Sequence, residues 1–242
     1  MILCAGCSWT YGYGLDAHET YPALLQNKIN KKTVNIASSG KDIQHSLWSI
    51  FKYIKNYNAD TVILQLTTLD RLTFPINGYE NFLENKLYDN SHREFWYDSN
   101  DEYVRVNGIS KYNFEMITVA SYLDSIKQKD DRNKTVKYLN ENSVFDNYSQ
   151  DVISNQLLSL YYYLKSKKIK LIIFPWLKLP KEFFSADSGD ELKELVYTKS
   201  VQEFIVKNNL EKHYLDKGFH LTGDGNKILV NDYVLPLLEQ YD

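Results

Sequence analysis

Two rhythms of apolar and polar positions alternate along this chain. Runs that are almost wholly apolar recur at Met1 to Cys4, Thr33 to Ala37, Thr61-Val62-Ile63-Leu64-Gln65-Leu66 and Lys170-Leu171-Ile172-Ile173-Phe174. Such runs predict short strands buried on both faces, as in a parallel sheet. Between them the spacing becomes helical. Glu19 to Ile29 is one such stretch, with Pro22 in the first turn, where its missing N–H costs nothing. Asp42 to Tyr57 carries Ile43, Leu47, Ile50, Phe51 and Ile54 on one side. Gln150 to Ser166 and Asp190 to Asn208 are also predicted as helices, and Thr222 is placed to cap a last helix running to about Glu239. Lys212 to Leu215 predicts a further short strand. Strand and helix alternate about five times with no internal repeat, which predicts an α/β fold of three layers: a parallel sheet of about five strands with helices on both faces.

The rhythm stops over residues 73–147. This stretch is rich in Tyr, Asn, Asp and Lys, with aromatic clusters such as Phe95-Trp96-Tyr97 and scattered helical spacing, as at Phe114 to Ile126. It reads as a mixed insertion within a single domain of residues 1–242. Insertions beside a sheet edge serve as lids or specificity walls, or else as surface elaborations and oligomer contacts. The sequence leaves both readings, and the oligomeric state, open.

Three predicted strands end in polar turns: Gly6-Cys7-Ser8, Ser38-Ser39-Gly40 and Thr67 to Arg71. Open α/β sheets place reactive groups at this carboxyl edge. Ser8 stands at the apex of the first turn, and Gly12 and Gly14 let the loop after it run close to a neighbour. A serine hydroxyl needs a base to become a nucleophile. The far end of the chain offers one in Asp216-Lys217-Gly218-Phe219-His220-Leu221-Thr222. His220 is the candidate base, and Asp216 the candidate carboxylate to orient it. Backbone N–H groups of Ser8 and Gly40 are candidate donors to an anionic intermediate. Arg71 offers charge for that anion or for an acidic substrate group. His18, His45, His92 and His213 read as surface or core histidines.

Composition changes this picture little. A net charge of -3 gives no overall basic footprint for nucleic acid. The 20 tyrosines suit a carbohydrate- or partner-binding surface but also simply fill core and surface. The residues after Met1 lack the basic and apolar regions of a signal peptide, and no apolar run has the length of a membrane span, so a cytoplasmic location is expected. Cys4-Ala5-Gly6-Cys7 has the spacing of a redox pair or half a zinc site, or reflects the packing of a strand into a tight turn. No second CxxC or His pair completes a zinc set. No metal or cofactor is called for.

The order Ser8, Gly40, Thr67 to Arg71, Asp216 and His220 resembles that of the SGNH hydrolase family, a branch of the GDSL esterases. Gly6-Cys7-Ser8-Trp9-Thr10 is similar to its first block, Asn35-Ile36-Ala37-Ser38-Ser39-Gly40 to its second, and His220-Leu221-Thr222 with Gly225 to its last. The resemblance covers residues 1–72 and about 148–242. It implies the flavodoxin-like SGNH hydrolase fold, with Ser8 as nucleophile, His220 as base, Asp216 as its partner and Gly40 as an oxyanion contact. The family's third block is Gly-x-Asn-Asp. Here it is Thr67-Thr68-Leu69-Asp70, so Leu69 stands where the Asn would be, and either one oxyanion donor is missing or Thr67, Thr68 or Arg71 replaces it. The family's Asp also sits three residues before the His, whereas Asp216 sits four before. The reading is a serine esterase acting on a small-molecule or carbohydrate ester, an O-acetyl sugar by preference. An acyltransferase or a non-catalytic binding module on the same scaffold is the alternative. A nucleotide-binding protein would need a Gly-rich phosphate loop, which is absent.

Overall fold

The computed structural model describes residues 1–67, 73–76, 94–97, 103–106, 115–118, 147–179, 181–184, 189–215 and 219–240. The strands are β1 (Ile2–Ala5), β2 (Thr33–Asn35), β3 (Thr61–Leu66), β4 (Thr73–Ile76), β5 (Glu94–Tyr97), β6 (Tyr103–Val106), β7 (Glu115–Thr118) and β8 (Lys170–Pro175). The helices are α1 (Ser8–Tyr11), α2 (Tyr21–Ile29), α3 (Ile43–Tyr53), α4 (Asn147–Ser166), α5 (Gly189–Leu195), α6 (Val201–Lys207), α7 (Gly223–Leu229) and α8 (Leu235–Gln240).

The main sheet has the order β6-β5-β2-β1-β3-β8. β2, β1, β3 and β8 run parallel, with Ile2 opposite both Thr33 and Thr61, and Thr61 opposite Lys170. Alternation along these strands divides the core in two. Leu3, Ala5, Val62, Leu64, Leu66, Leu171 and Ile173 pack with α3 and α4 residues such as Ile43, Ile50, Leu157 and Leu160. Ile2, Cys4, Ile63, Ile172 and Phe174 face the other way, onto Tyr21, Leu25, Val201, Ile205, Leu229 and Tyr233. The architecture is therefore the expected three-layer α/β/α sandwich.

Four details differ from the sequence reading. The parallel set has four strands, because Lys212 to Leu215 is not a strand of the sheet. Glu211–His213 forms a turn of 3-10 helix, and Tyr214 then bridges antiparallel to Leu221. Two strands from residues 73–147, the expected insertion, join the sheet rather than lying only beside it: β5 pairs antiparallel with β2, and β6 with β5. Within Phe114 to Ile126, Glu115–Thr118 is a strand paired antiparallel with Thr73–Ile76, because a distant partner overrides local spacing. Asp190 to Asn208 is two helices. Val196 leaves the first to bridge Ile173, and Ser200 caps the second, its Oγ accepting from the Glu203 N–H at 3.1 Å while the Glu203 carboxylate accepts from the Ser200 N–H at 3.0 Å. The rest of the insertion, and its expected role as a lid or specificity region, lie outside the described residues.

The last helix begins as expected at Thr222, whose Oγ1 accepts from the Gly225 N–H at 3.1 Å. Between α7 and α8 it widens into a π-helical turn, Val230–Val234. Pro236 follows, with no N–H to give and a ring that collides with the carbonyl four residues back in a regular helix. The wider turn accommodates both.

Candidate active site

β1 ends against two neighbours, and that confinement shapes the turn that follows. A Cβ at Gly6 would lie 2.3 Å from Thr10 Oγ1 and 2.6 Å from Gln65 Oε1, so only glycine fits there. Gln65 is the one amide side chain of β3, and its oxygen closes on this turn. Its Oε1 accepts from the Cys7 N–H at 3.3 Å and from Thr10 Oγ1 at 3.0 Å, while its Nε2 donates to the Leu66 carbonyl at 2.6 Å. From the other side, Asn35 at the end of β2 donates through Nδ2 to the Thr10 carbonyl at 2.8 Å. Buried amides with saturated partners hold a backbone firmly, because leaving any of these groups unpaired costs about 1–3 kcal/mol. The four-residue helix α1 is thus clamped between β2 and β3, with Ser8 in its first turn and 6% exposed.

The His220 segment is held with equal care. Tyr214 bridges Leu221, the Leu215 N–H donates to the His220 carbonyl at 2.6 Å, and the Thr222 N–H donates to the His213 carbonyl at 2.8 Å. Phe219, just before the histidine, has φ +61°, a left-handed conformation that disfavours a bulky side chain. The Trp176 indole N–H donates to its carbonyl at 3.3 Å, and Tyr214 packs edge-on against its ring. Trp176 also stacks on Trp9 with centroids 5.2 Å apart, and Trp9 lies 6.3 Å from the imidazole. The result is a direct contact across 212 residues of sequence: His220 Nε2 lies 2.9 Å from Ser8 Oγ.

Of the six residues singled out in the sequence, the structure brings Ser8 and His220 into contact. Gly40 sits in the turn after β2 with φ +73° and open space on the side a Cβ would occupy. That turn is tied to the Ser8 turn by the Ser38 N–H, which donates to the Gly6 carbonyl at 3.3 Å. Asp216, Thr68 and Arg71 lie outside the described residues. Just before Thr68 in sequence, the Thr67 hydroxyl at the end of β3 is buried without a hydrogen-bond partner among the described residues. Sequence reasoning missed Gln65, Asn35, Trp9, Tyr13 and Trp176. The available signal was Gln65, a lone amide in an otherwise apolar strand.

Cys4 and Cys7 are both free and buried, and burial pushes the Cys4 thiol far above its ordinary range, which leaves it a protonated packing group. Among the described residues no cluster of three or more His, Cys, Asp or Glu side chains is placed to hold a metal ion. Among the same residues no helix is long and apolar enough to cross a membrane.

Solved structures share this arrangement of elements. TesA aligns over 100% of this chain and 99% of its own, with 14% identity and a TM-score of 0.53. The psychrotrophic esterase EstA from Pseudoalteromonas sp., solved in a form inhibited by monoethylphosphonate, aligns over 99% of this chain and 97% of its own, with 13% identity and a TM-score of 0.51. No family model matches the chain, and no curated protein matches its sequence. The likeness is one of fold, and the fold is that of the SGNH hydrolases.

Proposed function

We propose that this chain is a serine esterase of the SGNH type, acting through an acyl-enzyme on Ser8. The observation that carries the reading is the 2.9 Å contact between His220 Nε2 and Ser8 Oγ at the carboxyl edge of the sheet. A base reaches a proton when it lies within about 2.6–3.2 Å of the atom that carries it, as His220 Nε2 does from Ser8 Oγ. A binding module on the same scaffold has no need of that contact, nor of the clamps that hold both of its sides.

In the proposed cycle, His220 Nε2 takes the Ser8 proton as Oγ attacks the acyl carbon. The resulting oxyanion is met by the backbone N–H groups of Ser8 and Gly40. The imidazolium then protonates the leaving alcohol. A water then enters and gives its proton to His220 as its oxygen attacks the acyl carbon, and the acid leaves as the imidazolium returns that proton to Ser8 Oγ. Asp216 is assigned to steady the imidazolium. Thr67, Thr68 and Arg71 are the candidates for the oxyanion contact that Leu69 cannot make. The preferred substrate is a short acyl group on a carbohydrate. Tyr13, exposed beside the imidazole, supports a sugar, since aromatic faces pack well against apolar ring faces. Transfer of the acyl group to a second sugar in place of water would use the same residues.

The test is intact mass after exposure to an activated monoethyl phosphonate ester, the class of group that inhibits EstA. One adduct on the parent and none on Ser8→Ala is the expected result. An unlabelled, folded parent overturns the esterase.

Thr67 allows a second, sharper check. Its buried hydroxyl makes no bond among the described residues, so Thr67→Val removes an uncompensated polar group. The melting temperature should hold or rise. If that hydroxyl meets the oxyanion, kcat should fall by about a hundredfold. A variant that melts like the parent and turns over like the parent removes Thr67 from the site.

A further inference from the structure

Tyr13 stands out among the residues around Ser8 because it is 54% exposed although its ring lies 5.1 Å from the His220 imidazole, inclined at 41°. Its backbone is pinned to the nucleophile itself. The N–H groups of Gly12 and Tyr13 both donate to the Ser8 carbonyl, each at 3.0 Å, and the Leu15 N–H returns to the Gly12 carbonyl at 3.1 Å. Gly12 at φ +83° and Gly14 at φ +78° make the two left-handed bends that project the tyrosine outward. Gly12 is also locked in place, because a Cβ there would lie 2.2 Å from Thr20 Cγ2. The backbone that carries the ring is therefore held to Ser8, and the ring stands beside the imidazole with half of its surface left to solvent.

The chemistry says what belongs beside it. His220 Nε2 must pass its proton to the oxygen of the departing alcohol, so that oxygen comes within hydrogen-bond reach of the imidazole. The body of the alcohol then lies beside the imidazole, where Tyr13 already is, while the acyl group hangs from the other side of the reacting carbon. We infer that Tyr13 is the floor of the leaving-group subsite and that the alcohol it takes is cyclic, a ring that lays a flat apolar face on the tyrosine. This rests on the esterase reading and adds to it the shape of the alcohol.

The experiment compares two acetates of secondary alcohols, an acetylated methyl pyranoside and an acetylated open-chain alditol, on the parent, Tyr13→Ala and Tyr13→Phe. The phosphonate labelling rate is measured alongside, because that small reagent carries no ring. The expected result is a parent that prefers the pyranoside ester. Tyr13→Ala should lose about three- to tenfold in kcat/KM on the pyranoside alone, through KM, in line with the strength of ring–ring packing. Tyr13→Phe should keep the preference, and all three should label at the same rate. If Tyr13→Ala slows both esters and the labelling equally, Tyr13 supports His220 rather than the substrate, and the inference falls while the esterase stands. If both esters are handled alike by parent and variant, the subsite is not there. A parent that takes no phosphonate overturns the esterase and the subsite together.

Discussion

His220→Ala will lower kcat on an acetyl ester by about 10⁴- to 10⁶-fold while the protein stays folded. The size of the loss follows from the proposed role of the imidazole: it lies 2.9 Å from Ser8 Oγ, and removing the base of a serine nucleophile costs nearly as much as removing the serine. The survival of the fold follows from what the imidazole does not do. The loop around it is held by backbone bonds from Leu215 and Thr222 and by the Trp176 indole on the Phe219 carbonyl, none of which involves the ring. The loss of a half-buried side chain in contact with Trp9 and Tyr13 should cost about 1 kcal/mol or less. The measurements are kcat, the phosphonate labelling rate and a thermal melt. Turnover within tenfold of the parent would mean that Ser8 takes its proton acceptor from elsewhere.

Gly6→Ala will damage both stability and rate. The added methyl group would meet Thr10 Oγ1 and Gln65 Oε1 at 2.3 and 2.6 Å, and those two atoms are bonded to one another at 3.0 Å. Neither is the free end of a mobile chain, so the strain passes to the backbone of the turn. Overpacking costs about 1–3 kcal/mol. Breaking the Gln65 bonds to Thr10 and Cys7 adds about 1–3 kcal/mol. A displacement of Ser8 by about 1 Å is enough to cost about a hundredfold in kcat. Gly6→Ala combined with Thr10→Ala removes the closer obstacle and should recover part of both losses. Urea midpoints and kcat for the three proteins decide it. A Gly6→Ala protein as stable as the parent would show that the turn is looser than its hydrogen bonds indicate.

Much of this was open to a reading of residues alone, for definite reasons. Strands buried on both faces announce themselves as apolar runs, and β1, β3 and β8 fell where those runs are. The pairing of Ser8 with His220 was legible because a serine in the turn after the first strand needs a base, and His220, just before the cap of the last helix, stands where the resemblance places one. What escaped depends on partners far away in sequence. Nothing near Glu115 says that Thr73–Ile76 will pair with it. Nothing near Gln65 says that its amide will close on Cys7 and Thr10. The break inside Asp190 to Asn208 is different, since Ser200 and Glu203 form a local capping box that continuous apolar spacing concealed.

The reacting pair joins the first turn of the chain to a loop near its last helix. β1 lies in the middle of the sheet, and its pairing with β2 and β3 needs only the first third of the chain. A growing polypeptide can therefore complete the serine turn, with Gln65 and Asn35 already closed on Thr10, long before residue 220 has been made. Until then Ser8 is an ordinary alcohol. On the proposed reading the chain is silent through its own synthesis and gains its activity only as the His220 segment docks, so recovery of esterase activity on refolding should mark the closing step of assembly.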